Sequence, residues 1–280
     1  MSELQARLQA AVGAAYRIEK ELGGGGMSRV FLAEDVELGR KVVIKVLPPE
    51  MAAGVNVERF RREIQLGARL QHPHIVPLLS AGASGDLLYY VMPFIEGESL
   101  RAKLAREGEL PVTEALRILR DVLDALGYAH DHHVVHRDIK PDNVLLSGKH
   151  ALVTDFGVAK AVAESTGKHT LTSMGVALGT PAYMAPEQAT ADPHTDHRAD
   201  IYAAGALAYE MLSGRPPFMA MNAQAMLAAH VTETPDPVTK HRTTVPEALN
   251  QLVLRCLEKK PADRWQRADE MLSHLETILT

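Results

Sequence analysis

A run of four glycines, residues 23–26, lies between two segments that are predicted to be β-strands. Glycine has no Cβ, so its backbone N–H groups can approach a phosphate closely, although glycine runs also form flexible linkers. A linker is expected between domains rather than within a hairpin of one lobe, which favours phosphate binding. No lysine follows the glycines, which excludes a Walker A loop, and no helix follows them, which excludes a Rossmann turn. The pattern therefore predicts a glycine hairpin folded over a nucleotide.

Charged and polar residues that suit phosphate chemistry follow in order along the chain. Lys45 stands in the run KVVIKVL, where a lysine alone is more typical of an edge strand. Glu63 stands in the next predicted helix, where a glutamate alone is typical of a solvated face. The segments VVHRDIKPDN, VTDFG and MAPE come next, and the first two contain Asp138, Asn143 and Asp155. Asp and Asn also cap turns, but that explanation would have to apply to all three residues independently.

The ordered set GxG, VxIK, HRDxKxxN, DFG and APE resembles the protein kinase superfamily over nearly the whole chain. It is most similar to the bacterial eukaryotic-type (Hanks-type) serine/threonine kinases. The resemblance implies an α+β, bilobal protein-kinase-like fold, with a small antiparallel-sheet N-lobe that carries one key helix and a mainly helical C-lobe. It implies one catalytic domain over residues 1–280, with the N-lobe at about 12–94, the hinge at about 93–98 and the C-lobe at about 99–280.

The resemblance also implies a phosphoryl transfer from ATP, in which the protein positions the reactants and neutralises charge. Asn143 and Asp155 would hold Mg²⁺, a hard ion that prefers oxygen ligands, or Mn²⁺ in its place. Lys45 would pair with the α- and β-phosphates of ATP, and Glu63 would orient Lys45. These roles make Lys45 and Glu63 part of the predicted catalytic set.

The same resemblance assigns the reacting end of the site. Asp138 would accept or orient the proton of the substrate hydroxyl, and Lys140 would neutralise the transferring phosphoryl group. A lysine two residues after the catalytic aspartate favours Ser/Thr over tyrosine substrates, and the MAPE segment favours proteins over small molecules such as antibiotics. A pseudokinase, which only binds its ligand, is the other alternative, but it would normally have lost Lys45, Asp138 or Asp155.

The adenine ring would lie in an apolar slot, with Met92 as the gatekeeper residue and residues 93–95 as the hinge. The nucleotide-binding residues implied by the resemblance are Leu22, Gly23, Gly25, Val30, Val43, Lys45, Met92, Pro93, Ile95 and Leu145. Pro93 has no N–H group, but the family uses the carbonyl group at that place and an N–H group two residues later, so a proline is acceptable.

Two residues depart from the pattern of the family. Ser28 stands where a third glycine is usual, and it adds a Cβ near the tip of the hairpin while keeping the N–H group. Gly67 stands four residues after Glu63, where a larger apolar residue usually connects the helix to Phe156. Neither departure removes a catalytic group.

Regulation is implied by the segment between the DFG and MAPE motifs, which is rich in hydroxyl groups. Thr170 and Thr172 form a T-x-T pattern that resembles autophosphorylation sites of the bacterial family. Arg137, directly before Asp138, would pair with a phosphate on this loop, because a phosphate brings negative charge and strong acceptors. A transient homodimer would allow one copy to phosphorylate another.

Other polar residues are expected to support the site rather than to react. The resemblance gives structural roles to Asp200 and to an ion pair between Glu187 and Arg264. Four histidines invite a zinc hypothesis, and two of them are four residues apart, but the segment HVVHRD is predicted as strand and loop rather than helix, and no cysteine accompanies them. They are His130, His132, His133 and His136.

Hydrophobic periodicity supplies the elements that position these residues. Strands are predicted at residues 16–22, 29–36, 41–47, 75–79 and 87–94, with a helix at 55–70. Helices are then predicted from Thr113, as the N-cap, to residue 128 and at residues 200–213, 223–231, 246–257 and 268–279. Strands followed by helices indicate an α+β fold rather than alternating βαβ units.

Composition limits the remaining possibilities. The chain has 280 residues, of which 46% are hydrophobic and 23% charged, as in soluble globular proteins, and its net charge of −5 argues against nucleic-acid binding and polybasic membrane attachment. Residues 1–10 are not expected to be a signal peptide, because they have no apolar core, and the sequence has no apolar run of about 18 residues that would span a membrane. A single cysteine, Cys256, fits a reducing compartment, so a cytoplasmic location is expected. Relatives often continue into a membrane helix and a sensor, so the chain is expected to be the catalytic part of a longer protein.

Overall fold

The computed structural model describes residues 2–25, 28–47, 56–158 and 181–279. The first part of the chain forms a five-stranded sheet in the order β1-β2-β3-β5-β4, with every neighbouring pair antiparallel. Two helices, α1 (Glu3–Val12) and α2 (Val57–Gly67), pack on opposite faces of this sheet. The strands are β1 (Tyr16–Gly25), β2 (Ser28–Asp35), β3 (Arg40–Val46), β4 (Ser80–Ser84) and β5 (Leu87–Pro93).

Strand β3 shows how alternation along the sequence places side chains on the two faces of the sheet. Val42 and Ile44 are buried in the cluster that contains Leu8 of α1. Val43 is buried in the other cluster, which contains Phe60 of α2. Because side chains alternate along a strand, Lys45 lies on the same face as Val43. The sheet therefore presents Lys45 towards α2 and not towards α1.

The second part of the chain is mainly helical and is built around α6, most of whose residues are buried. A helix that is buried on all sides is typical of the centre of a domain. The helices are α3 (Leu100–Glu107), α4 (Val112–Asp131), α5 (Pro186–Ala189), α6 (Arg198–Ser213), α7 (Ala223–Thr232), α8 (Val238–His241), α9 (Glu247–Cys256) and α10 (Ala268–Leu279). A small sheet of β6 (Glu98–Ser99), β7 (Val144–Ser147) and β8 (His150–Val153) lies beside them.

The predicted strand at residues 75–79 is wrong. Ile75 forms only an isolated bridge with Val153, and the strand begins at Ser80 instead. Pro77 in the middle of this segment cannot donate a ladder hydrogen bond, which disfavours a strand there. The apolar side chains of Ile75 and Val76 are buried in the core without belonging to a sheet.

Two helix starts also differ from the prediction. Helix α4 begins at Val112, and its N-cap residue is Pro111, whose side chain makes no capping hydrogen bond. Thr113 therefore lies inside the helix and is not its N-cap. Helix α1 was not predicted, although Ser2 caps it by accepting a hydrogen bond from the backbone N–H of Gln5. The fold class is nevertheless confirmed as α+β. None of the helices in the described part of the chain has the length and hydrophobicity needed to cross a membrane.

Candidate active site

Three of the glycines, residues 23–25, lie at the end of β1, where it pairs with β2, as predicted. Gly23 pairs with Val30 and Gly25 with Ser28, and the register shifts between Glu21 and Gly23. The φ angle of Gly23 is 126°, in a region that other residues rarely adopt. The chain therefore needs glycine at this position for the shape of the hairpin.

Lys45 and Asp155 meet where the sheet approaches the second part of the chain. The Lys45 Nζ lies 2.5 Å from the Asp155 Oδ2, and both side chains are largely buried. Burial alone would raise the pKa of Asp155, but the charge and the hydrogen bond of Lys45 outweigh it and lower the pKa. Asp155 is therefore an ionised carboxylate. Its φ angle of 70° is left-handed, a strained conformation that the surrounding contacts hold in place.

Two predicted residues of the HRDIKPDN segment, Lys140 and Asn143, converge on the carboxylate of a third, Asp138. The Lys140 Nζ donates to Asp138 at 3.0 Å and 2.8 Å. The amide nitrogen of Asn143 donates to the Asp138 carbonyl oxygen at 2.8 Å and to the Asp138 Oδ2 at 3.0 Å. Since both bonds use the amide nitrogen, they leave the amide oxygen of Asn143 for another partner.

The side-chain oxygens of Asn143 and Asp155 are ligands that suit a divalent cation of the magnesium type. The backbone N–H of Thr154 donates to the backbone carbonyl of Asn143 at 3.0 Å. This bond joins the segment that ends in Asn143 to the segment that contains Asp155. An amide oxygen and an ionised carboxylate are oxygen ligands, which hard cations prefer, and no thiolate is among them. Asn143 and Asp155 therefore offer ligands that suit such a cation, and their assignment as metal ligands stays a prediction.

A buried aspartate fixes the backbone of the catalytic segment. Asp200 is fully buried at the start of α6, and its carboxylate accepts hydrogen bonds from the backbone N–H groups of His136 and Arg137 at 2.8 Å and 2.7 Å. His130 Nε2 lies 2.8 Å from the same carboxylate. Burial would raise the pKa of Asp200, but the hydrogen bond and charge of His130 lower it. Arg137 keeps a left-handed φ of 68°.

The predicted histidines have different partners rather than a common centre. His136 Nε2 pairs with the Thr154 carbonyl at 2.8 Å, and its ring lies edge-on to Phe156 at 4.6 Å. His132 Nδ1 instead pairs with the Tyr128 carbonyl at 2.7 Å. His136 therefore supports the DFG segment.

Most residues of the predicted adenine slot share one hydrophobic cluster on the α2 face of the sheet. Its predicted members are Val30, Val43, Met92, Ile95 and Leu145. Leu22 lies outside this cluster and is 45% exposed. Pro93 ends β5, and the next residue, Phe94, donates its N–H to the Lys41 carbonyl at 3.3 Å. The assignment of adenine contacts to these residues stays a prediction.

Helix α2 meets the DFG segment backbone to backbone. A Cβ added at Gly67 would lie 2.5 Å from the carbonyl oxygen of Phe156, and one added at Gly157 would lie 3.5 Å from the carbonyl oxygen of Glu63. The missing side chain at position 67 is thus replaced by direct contact. Glu63 is buried on this helix, and its pairing with Lys45 stays a prediction.

The expected ion pair between Glu187 and Arg264 is present. The two terminal guanidinium nitrogens of Arg264, Nη1 and Nη2, each donate to one carboxylate oxygen of Glu187 at 2.7 Å, and Arg264 is fully buried. The Arg264 Nε and Nη2 also donate to the carbonyl groups of Glu258 and Lys259, at 2.8 Å and 2.9 Å. This fork ties α5 to the segment before α10. Thr170, Thr172 and the rest of residues 159–180 lie outside the described residues.

Sequence reasoning missed two residues that contact Asp155. The hydroxyl of Tyr90 donates to the Asp155 Oδ1 at 3.0 Å, and the hydroxyl of Thr154 donates to the same oxygen at 3.3 Å. Tyr90 reaches Asp155 because β3 pairs with β5 in a register that sets Tyr90 directly opposite Lys45. Paired residues of an antiparallel ladder lie on the same face, so both reach the same carboxylate.

Similarity to known proteins agrees with this geometry. PknB of Mycobacterium leprae, a serine/threonine-protein kinase, is 38% identical over 266 residues, which are 93% of this chain and 42% of that protein. The serine/threonine-protein kinase pkn2 of Myxococcus xanthus is 40% identical over 267 residues, covering 93% of this chain and 32% of that protein. The chain thus spans about two fifths of the length of the PknB relative.

A solved structure shows the same fold. The crystal structure of Rad53 1-466 in complex with AMP-PNP matches 93% of this chain and 64% of its own chain, with a TM-score of 0.77 and 24% identity. At that identity the likeness concerns the fold alone. The sequence itself matches the protein kinase domain over residues 16–275, nearly its full length. With its motifs placed as described above, this chain belongs to the protein kinase domain family.

Proposed function

We propose that the chain is the catalytic domain of an ATP-dependent serine/threonine protein kinase, which transfers the γ-phosphate to Ser and Thr hydroxyls of proteins. The observation that supports this most directly is a continuous polar path between the sheet and the helical part. Lys45 contacts Asp155 at 2.5 Å, Thr154 contacts Asn143 at 3.0 Å, and Asn143 contacts Asp138 at 3.0 Å. This path joins a phosphate-pairing cation, two metal ligands and a proton acceptor.

The side chains would divide the reaction between them. When bound at Asn143 and Asp155, Mg²⁺ would supply positive charge to the phosphates. The ammonium group of Lys45, which pairs with Asp155 in this structure, would pair with the α- and β-phosphates as well. A bond forms from the substrate hydroxyl oxygen to the γ-phosphorus while the bond to the bridging oxygen of ADP breaks. The hydroxyl proton passes to Asp138, and Lys140 stabilises the negative charge on the transferring group.

The nucleotide would lie between the β1–β2 hairpin and the segments that carry Asn143 and Asp155. The adenine ring would contact the hydrophobic cluster around Met92, with Pro93 and Ile95 in the hinge. In this arrangement residues 12–94 form the N-lobe and residues 99–280 the C-lobe, with α1 as an addition to the N-lobe. The packing of Leu8 with Ile44 on the outer face of the sheet supports that addition.

Transfer of radiolabelled phosphate from ATP tests the function. The purified chain is expected to label itself and a generic basic protein, with the label recovered as phosphoserine or phosphothreonine. A small-molecule kinase is the second candidate, and it would label an aminoglycoside but no protein. Labelling of neither, by a folded chain with Mg²⁺ present, would reject the proposed function.

Activity should depend on a divalent cation. Because the ligands are an amide oxygen and a carboxylate, we expect turnover with Mg²⁺ or Mn²⁺ and none in excess chelator. The check is an initial-rate titration of each metal at fixed ATP, with activity restored when Mg²⁺ is added back. Full transfer in excess chelator would show that Asn143 and Asp155 do not hold an essential metal.

Regulation by autophosphorylation rests on Arg137. Its Nε is buried and has no hydrogen-bond partner in the part of the chain that the structure describes. A buried guanidinium nitrogen without a partner is costly, so an incoming acceptor is favoured. A phosphate on Thr170 or Thr172 would supply charged acceptors to Arg137. It would thereby hold the segment between the DFG and MAPE motifs against Arg137. A transient homodimer would bring the loop of one copy to the site of another.

The active enzyme is therefore expected to carry phosphate on Thr170, Thr172 or both. The change Asp138→Asn should yield protein with no phosphate, because the chain would then have no working kinase. The double change Thr170→Ala/Thr172→Ala should lower turnover while ATP still binds. Intact-mass measurement and peptide mapping decide the matter, and a fully active enzyme with no phosphate in residues 157–184 would end the idea.

The cellular setting completes the proposal. The single cysteine, Cys256, is buried and free, and burial raises the pKa of its thiol, which makes it inert. A chain without need of disulfides suits the cytoplasm. We place the domain there, as part of a longer kinase that acts on proteins and not on nucleic acids.

A further inference from the structure

The hydroxyl group of Tyr90 holds one oxygen of the carboxylate that we assign to metal binding. Tyr90 is 1% exposed, and its hydroxyl lies 3.0 Å from the Asp155 Oδ1. Lys45 binds the other oxygen, Oδ2, at 2.5 Å. A buried tyrosine hydroxyl normally finds a partner, and here that partner is a charged acceptor, which makes the bond stronger than a neutral one. Asp155 is thus held through both oxygens by the N-lobe sheet.

The sheet makes this double contact possible. Lys45 on β3 and Tyr90 on β5 are direct partners in the antiparallel ladder, so their side chains leave the same face side by side. Both are long enough to reach Asp155, which keeps a left-handed φ of 70°. Lys45 on Oδ2 and Tyr90 on Oδ1 fix the plane of the carboxylate as well as its distance, and the Thr154 hydroxyl, 3.3 Å from Oδ1, is a longer second contact to that oxygen.

The two donors differ in what else they can do. Under the proposed function, Lys45 also serves the phosphates, so its hold on Asp155 is shared once the nucleotide is bound. Tyr90 is neutral and lies in the apolar cluster with Met92 and Ile64. Among the described residues, its hydroxyl has no hydrogen-bond partner other than Asp155. We propose that Tyr90 is a positioning residue, whose hydroxyl keeps the Asp155 carboxylate in the orientation that binds the metal.

The test is Tyr90→Phe, which removes one oxygen and keeps the ring. We expect the apparent Mg²⁺ affinity, measured from the Mg²⁺ dependence of AMP-PNP binding, to fall about tenfold, since a hydrogen bond to a charged group is worth at least that factor. Binding of AMP-PNP in excess chelator should not change. The matched control is Tyr89→Phe, because within the described ranges that neighbouring hydroxyl bonds the Ala11 carbonyl alone, at 3.5 Å, and its loss should leave the Mg²⁺ dependence unchanged.

A double-mutant cycle separates positioning from a merely structural role. If Tyr90 acts through Asp155, then Tyr90→Phe should have no further effect on nucleotide binding in the Asp155→Asn background. The inference alone would be overturned if Tyr90→Phe kept the Mg²⁺ dependence of the wild type. It would also be overturned if Tyr90→Phe weakened nucleotide binding in Asp155→Asn as much as it does in the wild type. A wild-type chain whose AMP-PNP binding ignored Mg²⁺ would overturn the proposed function, on which this inference rests, together with it. Thermal melting of every variant shows whether the change acts on the fold instead.

Discussion

The substitution Asp138→Asn is expected to remove nearly all phosphoryl transfer while the chain stays folded. The asparagine keeps the shape of the side chain and one oxygen for Lys140 and Asn143, but it cannot accept the substrate proton. Loss of a positioned proton acceptor costs about 10²–10⁴ in rate. The measurement is the initial rate of transfer to a generic basic protein, together with the affinity for ATP, which should persist because Asp138 is not one of the proposed metal ligands.

Asp142→Asn is the matched control for this prediction. Asp142 stands in the same segment, its side chain is 50% exposed, and its carboxylate lies 3.4 Å from Arg101. Exposed pairs of this kind contribute little, so turnover and melting should stay close to those of the wild type. Near-normal turnover in Asp138→Asn with unchanged melting would refute the role given to Asp138.

The largest effect on stability is expected from Glu187→Ala. This change leaves the guanidinium of Arg264 fully buried without its carboxylate, because the remaining partners are neutral carbonyl groups. Breaking a buried ion pair in this way costs about 3–5 kcal/mol in the free energy of unfolding. Urea denaturation would show it as a lower midpoint with a similar slope.

An exposed ion pair close to Arg264 in the sequence gives the comparison. Arg267 pairs with Asp269 at 2.9 Å and with Asp131 at 3.1 Å, and its side chain is 59% exposed. Arg267→Ala should therefore cost about 1 kcal/mol or less. If Glu187→Ala were no more destabilising than Arg267→Ala, the buried fork would not be the anchor of α5 that the geometry indicates.

The sequence allowed the proposed reacting residues to be picked out because each belongs to a motif of unusual residue types. Lys45 could be placed on a strand, and the structure agrees. In the structure Asp138 and Asp155 lie outside regular elements, and Asn143 ends a short 3-10 helix, Pro141–Asn143. The strand at 75–79 could not be judged correctly, because an apolar run looks the same whether it enters a sheet or only a core. The true strand, Ser80–Ser84, consists of small residues without that signal.

Contacts between segments that are distant along the chain could not be predicted from the sequence, for a physical reason. The bond between Tyr90 and Asp155 depends on the register of β3 against β5, and that register follows from packing over the whole sheet. Helix α1 likewise gains its stability from burying Leu8 against the sheet rather than from its own weak periodicity. Local patterns report neither of these.

The backbone contact between α2 and the DFG segment limits which residues position 67 can tolerate. Every single-base change in a glycine codon that gives another amino acid adds at least a Cβ, and at Gly67 that atom would lie 2.5 Å from the Phe156 carbonyl. Gly127 on α4 is different, since a Cβ there would find its nearest neighbours at 3.9 Å. Selection would therefore treat Gly67 as strictly as a residue of the reaction itself, although it has no side chain with which to react.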